Sequence, residues 1–91
     1  MKARRSRFEI YVEILRATQI HSKPTRIMYA TNTSWVILKD ALFKLAENGY
    51  VKRIEQPNSR DTRTRYIYEV TERGINVVNE YDRLDLVKLG L

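Results

Sequence analysis

The segment from Lys23 to Gly49 most constrains the fold, because it holds two helical patterns separated by a short polar break. Pro24 suits the first turn of a helix, and residues 25–30 follow it with helical spacing. Residues 31–34 are turn and cap formers, whose short polar side chains satisfy the free N–H groups of the next helix. This order predicts a helix-turn-helix, a motif whose second helix enters the major groove of DNA.

The second helix of this motif is predicted to begin near Trp35 and to end on a left-handed cap supplied by Gly49. Its apolar side chains recur at steps of three and four residues, so they share one buried face. That face consists of Trp35, Leu38, Ala41, Leu42 and Leu45. The opposite, exposed face consists of Val36, Lys39, Asp40, Phe43, Lys44 and Glu47.

The first turn of this helix is the best candidate for contact with DNA, because the N-terminal end of a recognition helix points into the groove. The candidate residues are Thr33, Ser34, Trp35, Val36 and Lys39. Trp35 has two possible roles, since it borders the core face and its indole N–H could also reach a phosphate. On the preceding helix, Thr25 and Arg26 lie near the N-terminus and are predicted to meet a phosphate. Met28 and Tyr29 are predicted to be structural.

The composition fits one compact domain spanning residues 1–91. The chain is 43% hydrophobic, which suffices for a single core, and no Gly/Ser/Pro linker divides it. Lys and Arg outnumber Asp and Glu by 17 to 11, giving a formal net charge of +6. This balance favours an anionic partner.

Several classes of function find little support. The chain has no cysteine, which excludes disulfides and thiolate metal sites, and we expect neither metal nor cofactor. One histidine, no glycine-rich phosphate loop and no carboxylate cluster at metal-ligand spacing disfavour an enzyme. No apolar run approaches the roughly 20 residues of a membrane span, and no signal peptide opens the chain. A cytoplasmic, nucleoid-associated protein is expected.

A further helix is predicted before the helix-turn-helix. Ser6 and Glu9 have the spacing of a capping box, so the helix should start there and continue to about Ile20. It has more apolar positions than one narrow stripe needs, which predicts burial on more than one side. The basic arm before it could lie along phosphates or be a solvated terminus. That arm contains Lys2, Arg4, Arg5 and Arg7.

A β-hairpin and a last helix are predicted after the helix-turn-helix. Residues 50–55 and 66–70 have strand patterns, and the polar residues 56–63 between them form a long tip. Thr71 then caps a helix in which Gly74 either admits another backbone or only loosens the first turn. Three helices, a hairpin wing and a C-terminal helix make up an α+β winged helix-turn-helix.

The wing is strongly cationic. Five Lys and Arg residues fall within fourteen positions around its tip, and beside a helix-turn-helix they are predicted to contact phosphates or the minor groove. The alternative is a solvated turn. The five residues are Lys52, Arg53, Arg60, Arg63 and Arg65.

The last helix, residues 71–91, carries an apolar seam at steps of four, three, three and four. The seam consists of Val77, Tyr81, Leu84, Val87 and Leu91. Such a stripe, continuing to the end of a small domain, predicts a homodimer interface. The alternative is that the stripe folds back on the first helix within one subunit.

Three stretches of the chain together resemble one family, the archaeal winged-helix proteins of the ten-kilodalton chromatin type. These stretches are residues 23–29 (Lys-Pro-Thr-Arg-Ile-Met-Tyr), 32–35 (Asn-Thr-Ser-Trp) and 71–74 (Thr-Glu-Arg-Gly). The resemblance covers nearly the whole chain. It implies binding to double-stranded DNA and dimerisation through the C-terminal helix.

The predicted function is therefore double-stranded DNA binding, by a small transcriptional regulator or a chromatin-associated protein. A winged helix can also act as a protein-interaction module without binding DNA, since fold alone does not fix function. The cationic wing favours DNA, because an interaction module has no need of it. Double-stranded RNA is a third, weaker option.

Overall fold

The structure is a computed structural model that describes residues 5–58, 60, 65–88 and 90, with the backbone alone for residues 86–88. Four helices and two strands follow one another along the chain. They are α1 (Arg7–Thr18), α2 (Pro24–Thr31), α3 (Trp35–Glu47), β1 (Val51–Glu55), β2 (Tyr66–Val70) and α4 (Glu72–Lys88). This order confirms the predicted α+β winged helix-turn-helix.

Helix α1 begins with the predicted capping box. The Oγ of Ser6 accepts a hydrogen bond from the N–H of Glu9 at 3.0 Å, and the Glu9 carboxylate accepts one from the N–H of Ser6 at 3.2 Å. The helix ends at Thr18, two residues before the predicted end at Ile20. It stops there because the N–H groups of residues 19–21 turn back onto the carbonyls of residues 16 and 17.

The core surrounds α1, which packs against α2, α3, α4 and β2. The predicted burial of α1 on more than one side is confirmed, and its covering elements belong to the same chain. Leucines of α3 and single residues of α2, β1 and α4 complete the core. The buried cluster consists of Ile14, Leu15, Ala17, Ile27, Leu38, Ala41, Leu42, Leu45, Val51 and Val78.

The predicted cap at the end of α3 is confirmed. Gly49 has a left-handed backbone with a φ of 78°. Its N–H donates to the carbonyl of Ala46 at 3.1 Å, and the N–H of Tyr50 donates to the carbonyl of Leu45 at 2.9 Å. These two bonds form a Schellman motif. They also explain why β1 starts at Val51 and not at the predicted Tyr50.

The segment before the hairpin and the segment after it are hydrogen-bonded to each other. We call this junction the wing base, and it is formed by Gly49, Tyr50, Thr71 and Gly74. Thr71 is the predicted cap of α4, since its Oγ1 accepts from the N–H of Gly74 at 3.2 Å. The same hydroxyl lies 2.7 Å from the Gly49 carbonyl and 3.0 Å from the Tyr50 carbonyl, to which it donates. The N–H of Thr71 also donates to the Tyr50 carbonyl, at 3.1 Å.

The hairpin, residues 51–70, is the wing. Its strands are antiparallel, with Val51 opposite Val70 and Arg53 opposite Tyr68. Strand β2 also donates from the N–H of Tyr68 to the carbonyl of Ser22 at 2.9 Å. This bond ties the wing to the connection between α1 and α2.

Candidate nucleic-acid interface

The turn between α2 and α3 is built by its own polar side chains. Asn32 takes a left-handed backbone with a φ of 52°, which reverses the chain after α2. Thr31, predicted to open the turn, is instead the buried last residue of α2, because its hydroxyl donates to the carbonyl of Ile27 at 2.8 Å. The hydroxyls of Thr31 and Thr33 lie 3.0 Å apart. The Oγ of Ser34 caps α3 by accepting from the N–H of Ile37 at 3.2 Å.

Arg5 holds this turn from outside, a role that the sequence did not indicate. Its guanidinium donates to the carbonyls of Thr31 at 2.7 Å and Asn32 at 3.1 Å, and it contacts both carboxylate oxygens of Glu13 at 3.2 Å. Helix ends leave carbonyls without helical partners, and a cation there also complements the helix dipole. This arginine of the basic arm is therefore engaged with the protein itself. Lys2 and Arg4 lie outside the described residues.

Helix α3 has the predicted two faces. Its leucines and Ala41 are buried, and every residue of the opposite face is exposed. Val36 is 75% exposed and Phe43 is 55% exposed. Asp40 and Lys44 form an ion pair at 3.0 Å on this helix. Lys39 is exposed one turn after the cap.

A groove of 710 Å³ lies between α3 and the wing, and we call it the α3–wing groove. Val36, Lys39 and Phe43 line it from α3, at steps of three and four residues. From the wing it is lined by Arg53, Arg65, Tyr66 and Tyr68. The groove therefore combines apolar helix side chains with three cations, one from α3 and two from the wing, and with one carboxylate, Asp40.

The wing cations do not share one face, because side chains alternate along a strand. Arg53 is on the same face as Tyr68, its partner in the register, and its guanidinium carbon lies 4.6 Å from the centre of the Tyr66 ring. Lys52 points to the opposite face, where its register partner is Glu69. The wing cations of the α3–wing groove are thus Arg53 and Arg65.

Tyr68 lines the α3–wing groove and packs against the core. It is half-buried. Burial raises the pKa of its phenol, and the nearby Arg53 opposes that rise to a smaller extent. The phenol therefore stays neutral at physiological pH.

Two of the remaining predicted wing residues are described, and both are exposed. Arg60 lies near the tip, and Arg65 lies where β2 begins. Arg63 lies outside the described residues.

The start of α2 and the start of α3 lie together. Pro24 of α2 and Trp35 of α3 both line the α3–wing groove. Trp35 is half-buried and packs against the core, so the predicted packing role is confirmed while part of the ring stays accessible. Arg26 is exposed and Thr25 is half-buried.

Tyr29 corrects a prediction about α2. It was expected to be structural, yet it is 79% exposed. Ile27 fills the core from α2 instead, and Met28 packs against that core from a half-buried position. Tyr29 lies one turn after Thr25 and Arg26, so α2 presents an aromatic hydroxyl on the side of those two residues.

A sequence model described as "winged helix-turn-helix" matches residues 4–89 of the chain. The chain belongs to the winged helix-turn-helix family. No curated protein sequence matches it at a significant level. In winged-helix proteins, the second helix of the helix-turn-helix, which is α3 in this chain, is named the recognition helix.

Solved structures of winged-helix proteins superpose well on this chain. Sso10a-2, a DNA-binding protein from Sulfolobus solfataricus, has 24% identity and a TM-score of 0.78, over 94% of this chain and 84% of that one. Lactococcus lactis ZitR, a zinc-responsive MarR family member, has 22% identity and a TM-score of 0.66 over 98% of this chain. Bordetella bronchiseptica BpsR has 16% identity and a TM-score of 0.67 over 78% of this chain.

These similarities establish the fold of the chain. The match to the Sulfolobus protein agrees, at the level of the fold, with the resemblance to the archaeal ten-kilodalton family. The chain spans 58% of the length of ZitR and 53% of the length of BpsR.

The seam predicted on α4 is divided between the core and the surface. Val77 packs against the buried cluster, and the ring of Tyr81 lies 5.8 Å from the ring of Phe8 on α1. These two positions follow the alternative in which the stripe folds back on α1. Leu84, in contrast, is 59% exposed. The side chain of Val87 and all of Leu91 lie outside the described part.

Helix α4 is also held to α1 by a bidentate ion pair. The guanidinium of Arg16 contacts the two carboxylate oxygens of Asp82 at 2.8 and 3.1 Å. The pKa of Asp82 is lowered by this hydrogen-bonded partner, and the pKa of Arg16 is raised by it.

Within the described residues, no three His, Cys, Asp or Glu side chains come together in a way that could hold a metal ion. No helix described here has the length and apolar character needed to cross a membrane.

Proposed function

We propose that this chain binds double-stranded DNA, with the recognition helix α3 in the major groove and the wing on the flanking backbone. The observation that carries the proposal is the α3–wing groove, which Lys39 of α3 lines together with Arg53 and Arg65 of the wing, so that its cations outnumber its one carboxylate, Asp40. Phosphates are the partner that such a distribution of cations fits best. The net charge of +6 acts in the same direction.

Two kinds of contact follow from this arrangement. Arg26 of α2 and Arg60 and Arg65 of the wing are exposed cations, and they would position the protein on phosphates. Ser34, Val36 and Lys39 lie in or beside the first turn of α3, where base edges are within reach. Thr25, Thr33, Trp35, Arg53 and Arg63 complete the proposed interface. Lys52, on the other face of the wing, would contact the backbone from outside the α3–wing groove.

The related structures support this proposal. The Sulfolobus protein is described as DNA-binding, and the DNA binding of BpsR is described as regulated by 6-hydroxynicotinic acid. By analogy, this chain would act as a small transcriptional regulator or a chromatin-associated protein, located on the nucleoid.

We further propose that two copies associate through α4. Leu84 of α4 and Phe8 of α1 are both more than half exposed, and Tyr81 lies between them in ring contact with Phe8. An apolar groove of 240 Å³ continues this surface between Phe8 and Val77. A two-fold pair would present two recognition helices to one duplex and multiply weak phosphate contacts through effective concentration.

A salt titration tests the proposal that DNA is the partner. If the protein neutralises about five phosphates, log K should fall against log salt concentration with a slope of about −4 to −5. The measurement is fluorescence anisotropy of a labelled duplex at increasing salt. A flat salt response, or no binding at low salt, would contradict the proposal.

Substitutions can separate positioning from base recognition. Replacing Arg60 and Arg65 by alanine should weaken binding to all duplexes about equally and make the salt slope shallower by about 1 for each lost phosphate contact. The matched control for each single wing substitution is Arg83→Ala, which removes one exposed cation of α4 that is paired with Glu80. If the control loses as much affinity as the wing variants, the net charge of the protein, and not the position of the arginines, determines the affinity for DNA.

A further inference from the structure

The recognition helix has an unusual set of side chains for base recognition. Residues 35–47 contain no Arg, Asn, Gln, Ser or Thr, the residue types that supply the common bidentate and hydroxyl contacts to base edges. Of its four charged residues, Asp40 and Lys44 are paired with each other at 3.0 Å. Lys39 is the charged donor of α3 on the side of the α3–wing groove.

The groove side of α3 is apolar at the position that enters DNA first. Val36 is the second residue of the helix, lines the α3–wing groove and is 75% exposed. A β-branched residue is a weaker helix former than alanine, and an exposed valine gains little from packing within the protein. Local stability therefore does not account for valine at this position.

We propose that Val36 is a specificity-determining residue that contacts the 5-methyl group of a pyrimidine in the major groove. This inference rests on the proposed DNA binding. The methyl group of thymine is the apolar feature of base edges in that groove, and small apolar side chains are its usual partners. A 5-methylcytosine presents the same methyl group at the same place.

The wing arginines explain why an apolar contact can determine the preference. They supply affinity through phosphates, which are the same in every sequence. The difference in affinity between DNA sequences then comes from the base edges that Val36 contacts. The chain should accordingly prefer duplexes with methyl groups in the major groove.

The test compares a short duplex made only of A·T pairs with the same duplex in which uracil replaces thymine. The two differ in the methyl groups and keep the same hydrogen-bonding edges. Wild type should bind the uracil duplex about fourfold more weakly, the equivalent of one buried methyl group. Val36→Ala removes two methyl groups and should bring the two affinities closer to equality, and it should fold because the replaced side chain is exposed.

Lys39→Ala is the control on the same helix, since it should weaken binding to both duplexes and keep the ratio. A second pair of duplexes, made of G·C pairs with either cytosine or 5-methylcytosine, distinguishes the two sources of the methyl group. If methylation of cytosine raises the affinity, the contact depends on the methyl group alone. If methylation of cytosine has no effect while thymine is still preferred over uracil, the contact is specific to A·T pairs.

Equal binding of wild type to the thymine and uracil duplexes would overturn the inference and leave the proposed DNA binding intact. A Val36→Ala variant that keeps the wild-type ratio would also overturn it, because the methyl contact would then lie elsewhere. Failure to bind either duplex at low salt would instead overturn the proposed function itself.

Discussion

Gly74 is the residue of the wing base at which α4 lies close against the backbone of Tyr50. A Cβ at this position would overlap the carbonyl oxygen of Tyr50 and lie 2.8 Å from Cγ2 of Val70 and 3.2 Å from Cδ2 of Leu15. Of the two roles considered for this glycine, the close approach of another backbone is confirmed. Its absent side chain is what lets the end of α3 and the start of α4 meet.

Replacing Gly74 by alanine should therefore destabilise the fold, although alanine is the better helix former. Forcing a methyl group against a backbone carbonyl should lower the free energy of unfolding by about 1–3 kcal/mol. Urea denaturation monitored by circular dichroism measures this. Asn76→Ala is the control, an exposed position two residues later on α4, and it should be neutral or slightly stabilising. Equal stability of the two variants would contradict the proposed steric conflict.

Residues whose roles depend on neighbours in the sequence were predictable. Ser6, Ser34 and Gly49 act on backbone groups within a few positions, so their spacing alone indicates the caps. Arg5 and Tyr29 were not predictable in this way. Arg5 contacts carbonyls 26 and 27 residues away, and the exposure of Tyr29 depends on which side of α2 the rest of the chain covers.

At the scale of elements, α4 is joined to α1 by the ion pair of Arg16 and Asp82. The guanidinium holds the pKa of Asp82 below its ordinary value of 3.8. A carboxyl whose folded pKa is lowered stabilises the fold above its unfolded pKa, and this contribution is lost as the pH falls through the folded value. Both groups are substantially exposed, so the contribution is modest.

The difference in Tm between wild type and Asp82→Asn should therefore be present at neutral pH and vanish as the pH falls below 3.8. Thermal unfolding followed across an acid-to-neutral series measures it. Asp85→Asn, which changes an exposed carboxylate one turn away from the contact, serves as the control. A difference that persists unchanged in acid would mean that the carboxylate charge of Asp82 does not stabilise the fold.

The order of the elements was predicted from the sequence, but the α3–wing groove was not. Hydrophobic period and turn residues identify each element locally. The groove depends on the register of β1 and β2, which places Arg53 on the face of Tyr68 and Lys52 on the other. The sequence shows only that these cations are close along the chain. Closeness along the chain does not tell which face of the wing each cation lies on.

For the whole molecule, the testable quantity is the oligomeric state. Replacing Leu84 and Val87 by lysine should give a folded monomer that binds DNA much more weakly, because two charges would replace the proposed apolar contact. Light scattering at about tens of micromolar and duplex binding measure the two effects. The control variant changes Asn76 and Asn79, two exposed positions on α4, to lysine. It adds the same charge and should remain dimeric.

A wild type that is monomeric under these conditions, or a double lysine variant that stays dimeric, would show that α4 is not the interface. The exposed surface of α1 around Phe8 would then be the next candidate.

The wing base also bears on how such a chain can change its target. Thr71, bonded to the carbonyls of Gly49 and Tyr50, fixes both ends of residues 51–70 at one point. For a loop closed in this way, added residues at the tip cost only an entropy that grows with the logarithm of loop length. The tip of the wing can therefore be lengthened, shortened or recharged while Val51 and Tyr68 keep the base of the hairpin packed on the core. Evolution can exchange the tip independently of the scaffold that carries it.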